Sequence, residues 1–346
     1  MGGLTSSRQA AAIAGVGCLV FLVLCDHALV FFLSIEGGTL AFLVIMMGSR
    51  TPKALEGATR YFLASSICSV ALLVSFWYTL AGGGASELWS WSRSRLGPLV
   101  MSVLVFKLSL FPLHFLFPDL IESSPLGSLP MWAGWMKLAL FIIFIKLFSQ
   151  VGAIIVWLTL VVGALGAINQ SKVLRSIAYF SINSSGWLIL GSSAGLPLLP
   201  AFYLLFFLVY ALSTHVFISL FRLSRFRSGS FIVELGNSSP LVGFPFSALA
   251  LSWLGIPPLA AFWWKWEILV SVADHGAYIS IMISLLCAAI VLFFVLRVVR
   301  FSFFSGLPGR VPVLSLPIPL LAGGLVVYVA SGIGLLWPSL LLVLVH

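Results

Sequence analysis

Apolar residues run along this chain in blocks of about twenty, divided by short polar breaks. The blocks show neither the two-residue alternation of strands nor the single apolar stripe of a soluble helix. About 20 helical residues cross a bilayer core about 30 Å thick. Laid against the 346-residue sequence, that ruler gives eleven spans: 9–25, 28–48, 60–82, 97–117, 129–149, 151–169, 174–195, 198–221, 241–271, 277–300 and 312–340. The pattern predicts an all-α polytopic membrane protein of about eleven transmembrane helices. The ninth and eleventh blocks are long and contain Pro or Gly, and the fifth and sixth meet near Gln150 and Gly152 with almost no loop. Residues 1–10 carry one Arg before the first block and show no A-x-A-like cleavage site, so that block reads as a retained helix.

Composition points the same way. The chain is 61% hydrophobic and 8% charged, where a soluble domain carries about 25% charged residues. There is too little polar surface to cover a water-soluble globule. Cys18, Cys25, Cys68 and Cys287 lie in apolar runs without metal-ligand spacing and read as small buried hydrophobes.

The basic residues orient the chain. With eleven helices, the N-terminal side collects Arg8, Arg50, Lys53, Arg60, Lys172, Arg175, Arg222, Arg225, Arg227, Arg297, Arg300 and Arg310, and the other side receives Arg93 and Arg95. By the positive-inside rule the N-terminus faces cytoplasm or mitochondrial matrix. The net charge of +9 is thereby explained without nucleic acid.

Four lysines, Lys107, Lys137, Lys146 and Lys265, remain inside predicted helices. A charge at mid-bilayer costs about 3 kcal/mol on insertion scales, so such residues face a polar interior. Lys146 lies three residues before Ser149-Gln150 and reads as a lysine snorkelling to the interface. Glu36, eight residues into the second span, shares its depth with Lys107, Lys137 and Lys265 and could neutralise one of them. Register-fixing ion pairs are the bland reading, but three lysines against one acid do not pair off. A buried lysine loses its proton more readily than an exposed one, and an approaching carboxylate restores its hold. That is the chemistry of a proton switch.

Prolines stand beside two of these lysines. Phe111-Pro112 follows Lys107, and Gly255-Ile256-Pro257-Pro258 precedes Lys265, so both helices should be interrupted within the membrane. Such pairs point to transporter sites built from inverted repeats. His114, seven residues after Lys107, would share its face if the helix stayed regular, and His215 follows Ser213-Thr214 in the eighth span. Each is either a proton relay or a histidine satisfied by a backbone carbonyl. Asp26, Glu56, Asp119, Glu122 and Glu267 are less central, and the aromatics read mostly as lipid-facing or interfacial filler, with Trp263-Trp264 as packing.

Several segments, in order, resemble the NADH dehydrogenase subunit 2 family of respiratory complex I. They are Ile35-Glu36-Gly37-Gly38-Thr39-Leu40; Leu55-Glu56-Gly57-Ala58-Thr59-Arg60-Tyr61-Phe62-Leu63; Lys107 through Phe115 with Pro118-Asp119; and Trp135-Met136-Lys137-Leu138-Ala139. Gly166-Ala167-Ile168-Asn169-Gln170, Leu174 through Ile182, Gly186-Trp187, and Gly255 through Phe262 with Lys265-Trp266 complete the set. Singly most are weak, and some are shared with larger antiporter-like subunits and with cation/proton antiporters. Order and spacing carry the resemblance, which runs from about residue 30 to 270 at the spacing of the animal mitochondrial form. Asn183-Ser184-Ser185 departs from it, standing where many relatives carry a histidine.

The resemblance implies an antiporter-like fold with inverted repeats: one transmembrane domain over 1–346, with half-channel repeats at about 28–150 and 151–300 and a terminal helix in 301–346. It implies Glu36 and Lys107 as a coupling pair, Lys137 as the central relay and Lys265 as the terminal lysine. It further implies a mitochondrial inner-membrane protein, N-terminus toward the matrix, packed among other membrane-arm subunits and lipids. No cofactor is expected on this chain; FMN, iron–sulfur clusters and ubiquinone would belong to partner subunits. The rival expectations are a cation/proton antiporter subunit and a structural spacer in which buried charges fix helix register.

Overall fold

The computed structural model describes residues 2–24, 27–49, 51–82, 95–126, 128–129, 136–147, 152–193, 251, 254–255 and 260–304. All regular elements among them are helical: α1 (Gly2–Leu24), α2 (Ala28–Met47), α3 (Pro52–Ala81), α4 (Gly97–Lys107), α5 (Leu116–Ser123), α6 (Lys137–Leu147), α7 (Ala153–Asn169), α8 (Val173–Ser193), α9 (Ala260–Asp274) and α10 (Tyr278–Phe304). The predicted spans 198–221 and 312–340, with His215, lie outside the described residues. α2, α3 and the Tyr278–Arg297 part of α10 are long and apolar enough to cross a membrane. They carry strongly exposed apolar side chains, among them Ile67, Trp77, Met282 and Phe293, as surfaces solvated by lipid do.

Local chemistry sets the helix ends. α2 starts where the His27 ring accepts a hydrogen bond from the Leu29 amide at 3.3 Å. α3 begins at Pro52, eight residues before the predicted span. Thr51 caps it by accepting from the Ala54 amide, and Pro52 suits a first turn that needs no amide donor. Hydropathy misses this turn because Lys53, Glu56 and Arg60 are polar. The exposed Arg60–Glu56 ion pair at 2.5 Å contributes at most about 0.5 kcal/mol.

The chain forms two compact units, Met1–Ile155 and Val156–His346. In the first, α2 packs on α1 and α3, α3 packs on α4 and α5, and α6 packs on α1 and α4. Gly37 and Gly38 allow this closeness: a Cβ there would meet Cys18 Sγ at 2.8 Å and Met136 Cε at 2.9 Å. Tyr61 of α3 lies edge-on to Phe42 of α2 and stacked on Phe106 of α4, each at 6.4 Å between centroids. It therefore sets the spacing across which α2 and α4 face each other.

In the second unit α8 is buried along most of its length and packs against α7 through small residues. A Cβ at Gly163 would meet the Asn183 backbone nitrogen at 2.7 Å, and one at Gly186 would meet Leu160 Cδ2 at 2.9 Å. Asn183 Nδ2 donates to the Leu160 carbonyl at 3.0 Å, so the amide that replaces a histidine in the resemblance clamps two helices. α10 is tied on by Trp157 Nε1, which donates to Ser280 Oγ at 3.0 Å, and by Phe180 against Phe294. Serine hydroxyls along these helices, Ser185 and Ser192 among them, donate to carbonyls of their own helix, which keeps them satisfied in an apolar setting.

Gly163→Ala should cost about 1–3 kcal/mol, because the clash is with backbone that cannot rotate away. Gly152→Ala, where a Cβ meets nothing within 4 Å, should cost nothing measurable. Thermal unfolding of the detergent-solubilised protein checks both; equal melting of the two variants would rule out the close approach of α7 and α8.

Candidate functional site

The first unit brings Glu36 and Lys107 together. Lys107 Nζ donates to Glu36 Oε1 at 2.8 Å, with 1% of the lysine side chain exposed against 21% of the glutamate. Glu36 lies mid-way along α2, and Lys107 is the last residue of α4. α4 stops there because the next turn closes backwards. The Leu110 amide bonds the Val105 carbonyl and the Ser109 amide bonds the Phe106 carbonyl, with Ser109 at φ 60°. This is the six-to-one, five-to-two closure usual at helix ends, with buried Val105 and Leu110 at its apolar contact positions. α9 ends through the same bonds with Gly276 at φ 70°. Serine in the left-handed region costs about 1–2 kcal/mol that glycine avoids, so the packing around the buried Ser109 must hold it there.

The interruption expected beside Pro112 is thus present, and α5 resumes at Leu116. The condition attached to His114, a regular helix, is therefore not met. With α4 ended at Lys107, the seven-residue spacing no longer puts both on one face. His114 stacks on Phe111 at 6.0 Å between centroids, and no hydrogen bond joins it to Lys107 among the described residues.

Lys137, on α6, is also buried, and its Nζ stands 3.9 Å from the centroid of the Phe117 ring of α5. Lys146 lies on the same helix, its side chain outside the described residues.

The second unit places Lys265 on α9, beyond a second interruption. Leu254 is helical, Gly255 turns at φ 76°, and helix resumes at Ala260; Pro257 and Pro258 lie outside the described residues. Lys265 Nζ donates to the Leu254 carbonyl at 2.7 Å, so the ammonium is held by a backbone acceptor beside the break. Trp187 of α8 also stands near, with its ring centroid 5.2 Å from Nζ.

Tyr61, Phe117 and Trp187 were missed as site residues. The reading of aromatics as filler holds for exposed rings such as Trp77 and fails for these three, each less than a tenth exposed. The available signal was that Tyr61 and Trp187 fall inside the very segments that carry the resemblance. Among the described residues no three His, Cys, Asp or Glu side chains gather to hold a metal ion.

Chemically, the first unit sets Lys107 against a carboxylate and Lys137 over an aromatic face, and the second sets Lys265 against a carbonyl and near an aromatic face.

Comparison with known proteins follows this geometry. The model of a family described as NADH:quinone oxidoreductase/Mrp antiporter, transmembrane, matches residues 25–291. NADH-ubiquinone oxidoreductase chain 2 of Bos taurus is 26% identical over 282 residues, 80% of each chain. Among solved structures, a chain of respiratory complex I from Thermus thermophilus superposes with a TM-score of 0.84 at 26% identity, over 97% of this chain and 79% of that one. A chain of the Mrp complex of a Dietzia species superposes at 0.83 with 17% identity, over 96% and 75%, a likeness of fold alone.

The pair geometry predicts an asymmetric double-mutant cycle. Glu36→Gln strands a nearly inaccessible ammonium and should destabilise by about 3 kcal/mol, the lower end for a broken buried pair. Lys107→Met leaves a carboxylate with some access to its surroundings and should cost less. The double variant should resemble Lys107→Met alone. Melting of the solubilised protein measures the cycle, and strict additivity would mean that the pair carries no coupling.

Proposed function

The chain belongs to the NADH:quinone oxidoreductase/Mrp antiporter membrane family, and from that premise we propose that it is a proton-translocating antiporter-like subunit in the membrane arm of respiratory complex I. The observation that carries the reading is the Glu36–Lys107 ion pair, set between a continuous helix and an interrupted one. An ammonium so deeply buried holds its proton only while its carboxylate stays close. Charge displaced near Glu36 by redox chemistry in neighbouring subunits loosens that hold. The proton released from Lys107 passes by way of Lys137 to Lys265 and leaves toward the intermembrane space. His114 and His215 are auxiliary relays in this scheme.

Around this site the proposal sets about eleven helices, with half-channel repeats near 28–150 and 151–300 and a terminal helix in 301–346. Two helix interruptions, one beside Lys107 and one before Lys265, support the repeats. The names of the chain 2 relatives favour a mitochondrial inner-membrane setting, and the distribution of Arg and Lys favours a matrix-facing N-terminus. Redox work falls to partner subunits carrying FMN, iron–sulfur clusters and ubiquinone, with no cofactor on this chain. The second reading, a subunit of a cation/proton antiporter, is favoured by the description of the matching family, which names the Mrp antiporter beside the oxidoreductase.

Purification of the native assembly separates the two. Co-migrating flavin and iron–sulfur subunits with NADH–quinone activity support complex I; small antiporter partners without redox centres support the alternative. Within complex I, Lys107→Met or Lys265→Met should lower the number of protons moved per electron while the complex still assembles. A normal ratio in both variants would sink the proposal.

A further inference from the structure

Lys107 meets a carboxylate, whereas Lys137 and Lys265 each meet the face of an aromatic ring. We propose that Phe117 and Trp187 are positioning residues, holding the ammonium groups of Lys137 and Lys265 by their π faces as Glu36 holds that of Lys107. The inference rests on the reading that these lysines carry protons.

Both rings are fixed. Phe117 is 5% exposed on α5, the short helix that resumes after the break beyond Lys107, so the break itself sets where the ring stands. Trp187 is 2% exposed. Asn183, one turn earlier on α8, is tied to the Leu160 carbonyl, and Gly186 lets Leu160 approach the α8 backbone. The α7–α8 clamp therefore fixes the helix that carries the indole. An ammonium within about 6 Å of a ring centroid is attracted by the ring quadrupole, more strongly when water is excluded; the separations are 3.9 Å and 5.2 Å.

The chemical consequence follows from what a ring cannot do. A carboxylate both attracts an ammonium and can take its proton, so it competes as a stopping place. A π face attracts the charged form and accepts no proton. Phe117 and Trp187 would steady the loaded lysines without adding a trap.

The test compares ring-keeping with ring-deleting substitutions in the assembled native complex. Phe117→Tyr and Trp187→Phe keep a π face; the second also removes Nε1, which has no hydrogen-bond partner among the described residues. Phe117→Leu and Trp187→Leu keep apolar bulk only. Protons moved per electron should stay near normal in the first two variants and fall in the leucine variants. A second readout does not depend on pumping: unfolding rates of Phe117→Leu and Trp187→Leu are measured with the native lysine and with Lys137→Met or Lys265→Met. The acceleration caused by leucine should be about tenfold smaller once the lysine is methionine. Equal acceleration in both backgrounds would reduce the rings to packing and overturn the proposal, as would normal pumping in both leucine variants. Should the methionine variants themselves pump normally, proton transport by these lysines falls, and with it the positioning role, even where the unfolding rates show that the contacts exist.

Discussion

A protonated amine surrounded by lipid must find its counter-charge inside the protein, and the placement of helices here follows from that requirement. Lys107 finds Glu36 across 2.8 Å. For the two to meet, α2 and α4 must keep a fixed separation, and the stacked, edge-on ring of Tyr61 supplies it. α1 and Met136 must also approach α2 closely around the acid, which Gly37 and Gly38 permit. The small residues and the aromatic spacer have one purpose in common: a rigid frame in which a few tenths of an ångström decide how strongly the ammonium is held.

Helix interruption does the complementary work. A regular helix satisfies its own carbonyls and has none to offer a side chain. At Gly255 the helix breaks, and the carbonyl of Leu254 becomes the acceptor for Lys265, eleven positions along the chain. Beyond Lys107 the break serves differently. It ends α4 immediately after the lysine and starts α5 with Phe117 aimed at Lys137. One interruption offers a backbone acceptor; the other links the surroundings of two lysines through eight residues of intervening chain.

Much of this was legible in the sequence, for physical reasons that also explain what was not. Hydropathy finds the lipid-exposed bodies of helices, so the second and tenth predicted spans closely match α2 and α10. It misses the polar first turn of α3, which depends on Thr51 and Pro52 and not on apolar content. Depth within the spans singled out Glu36, Lys107, Lys137 and Lys265, the resemblance paired Glu36 with Lys107, and proline located the breaks. A break, however, destroys the periodicity used to judge faces, so the spacing of Lys107 and His114 says nothing about whether they share one. Aromatic rings defeated the reading for another reason. In a chain that is 14% aromatic, rings facing lipid and rings facing an ammonium are compositionally identical, and only burial separates Trp77 from Trp187.

The same requirement bears on the difference between the partner of Lys107 and those of Lys137 and Lys265. Pairing each lysine with its own carboxylate would satisfy charge but fix every proton between two strong sites. Carbonyls and rings attract an ammonium more weakly, by roughly 1–2 kcal/mol where a buried carboxylate contributes several. Glu36 is a strong partner for Lys107, and Phe117, Leu254 and Trp187 are weaker ones for Lys137 and Lys265, so outside charge acts most directly at the Glu36–Lys107 pair. In the proposed scheme that uneven strength of partners, more than the number of lysines, is what a proton route needs and a set of register pins does not.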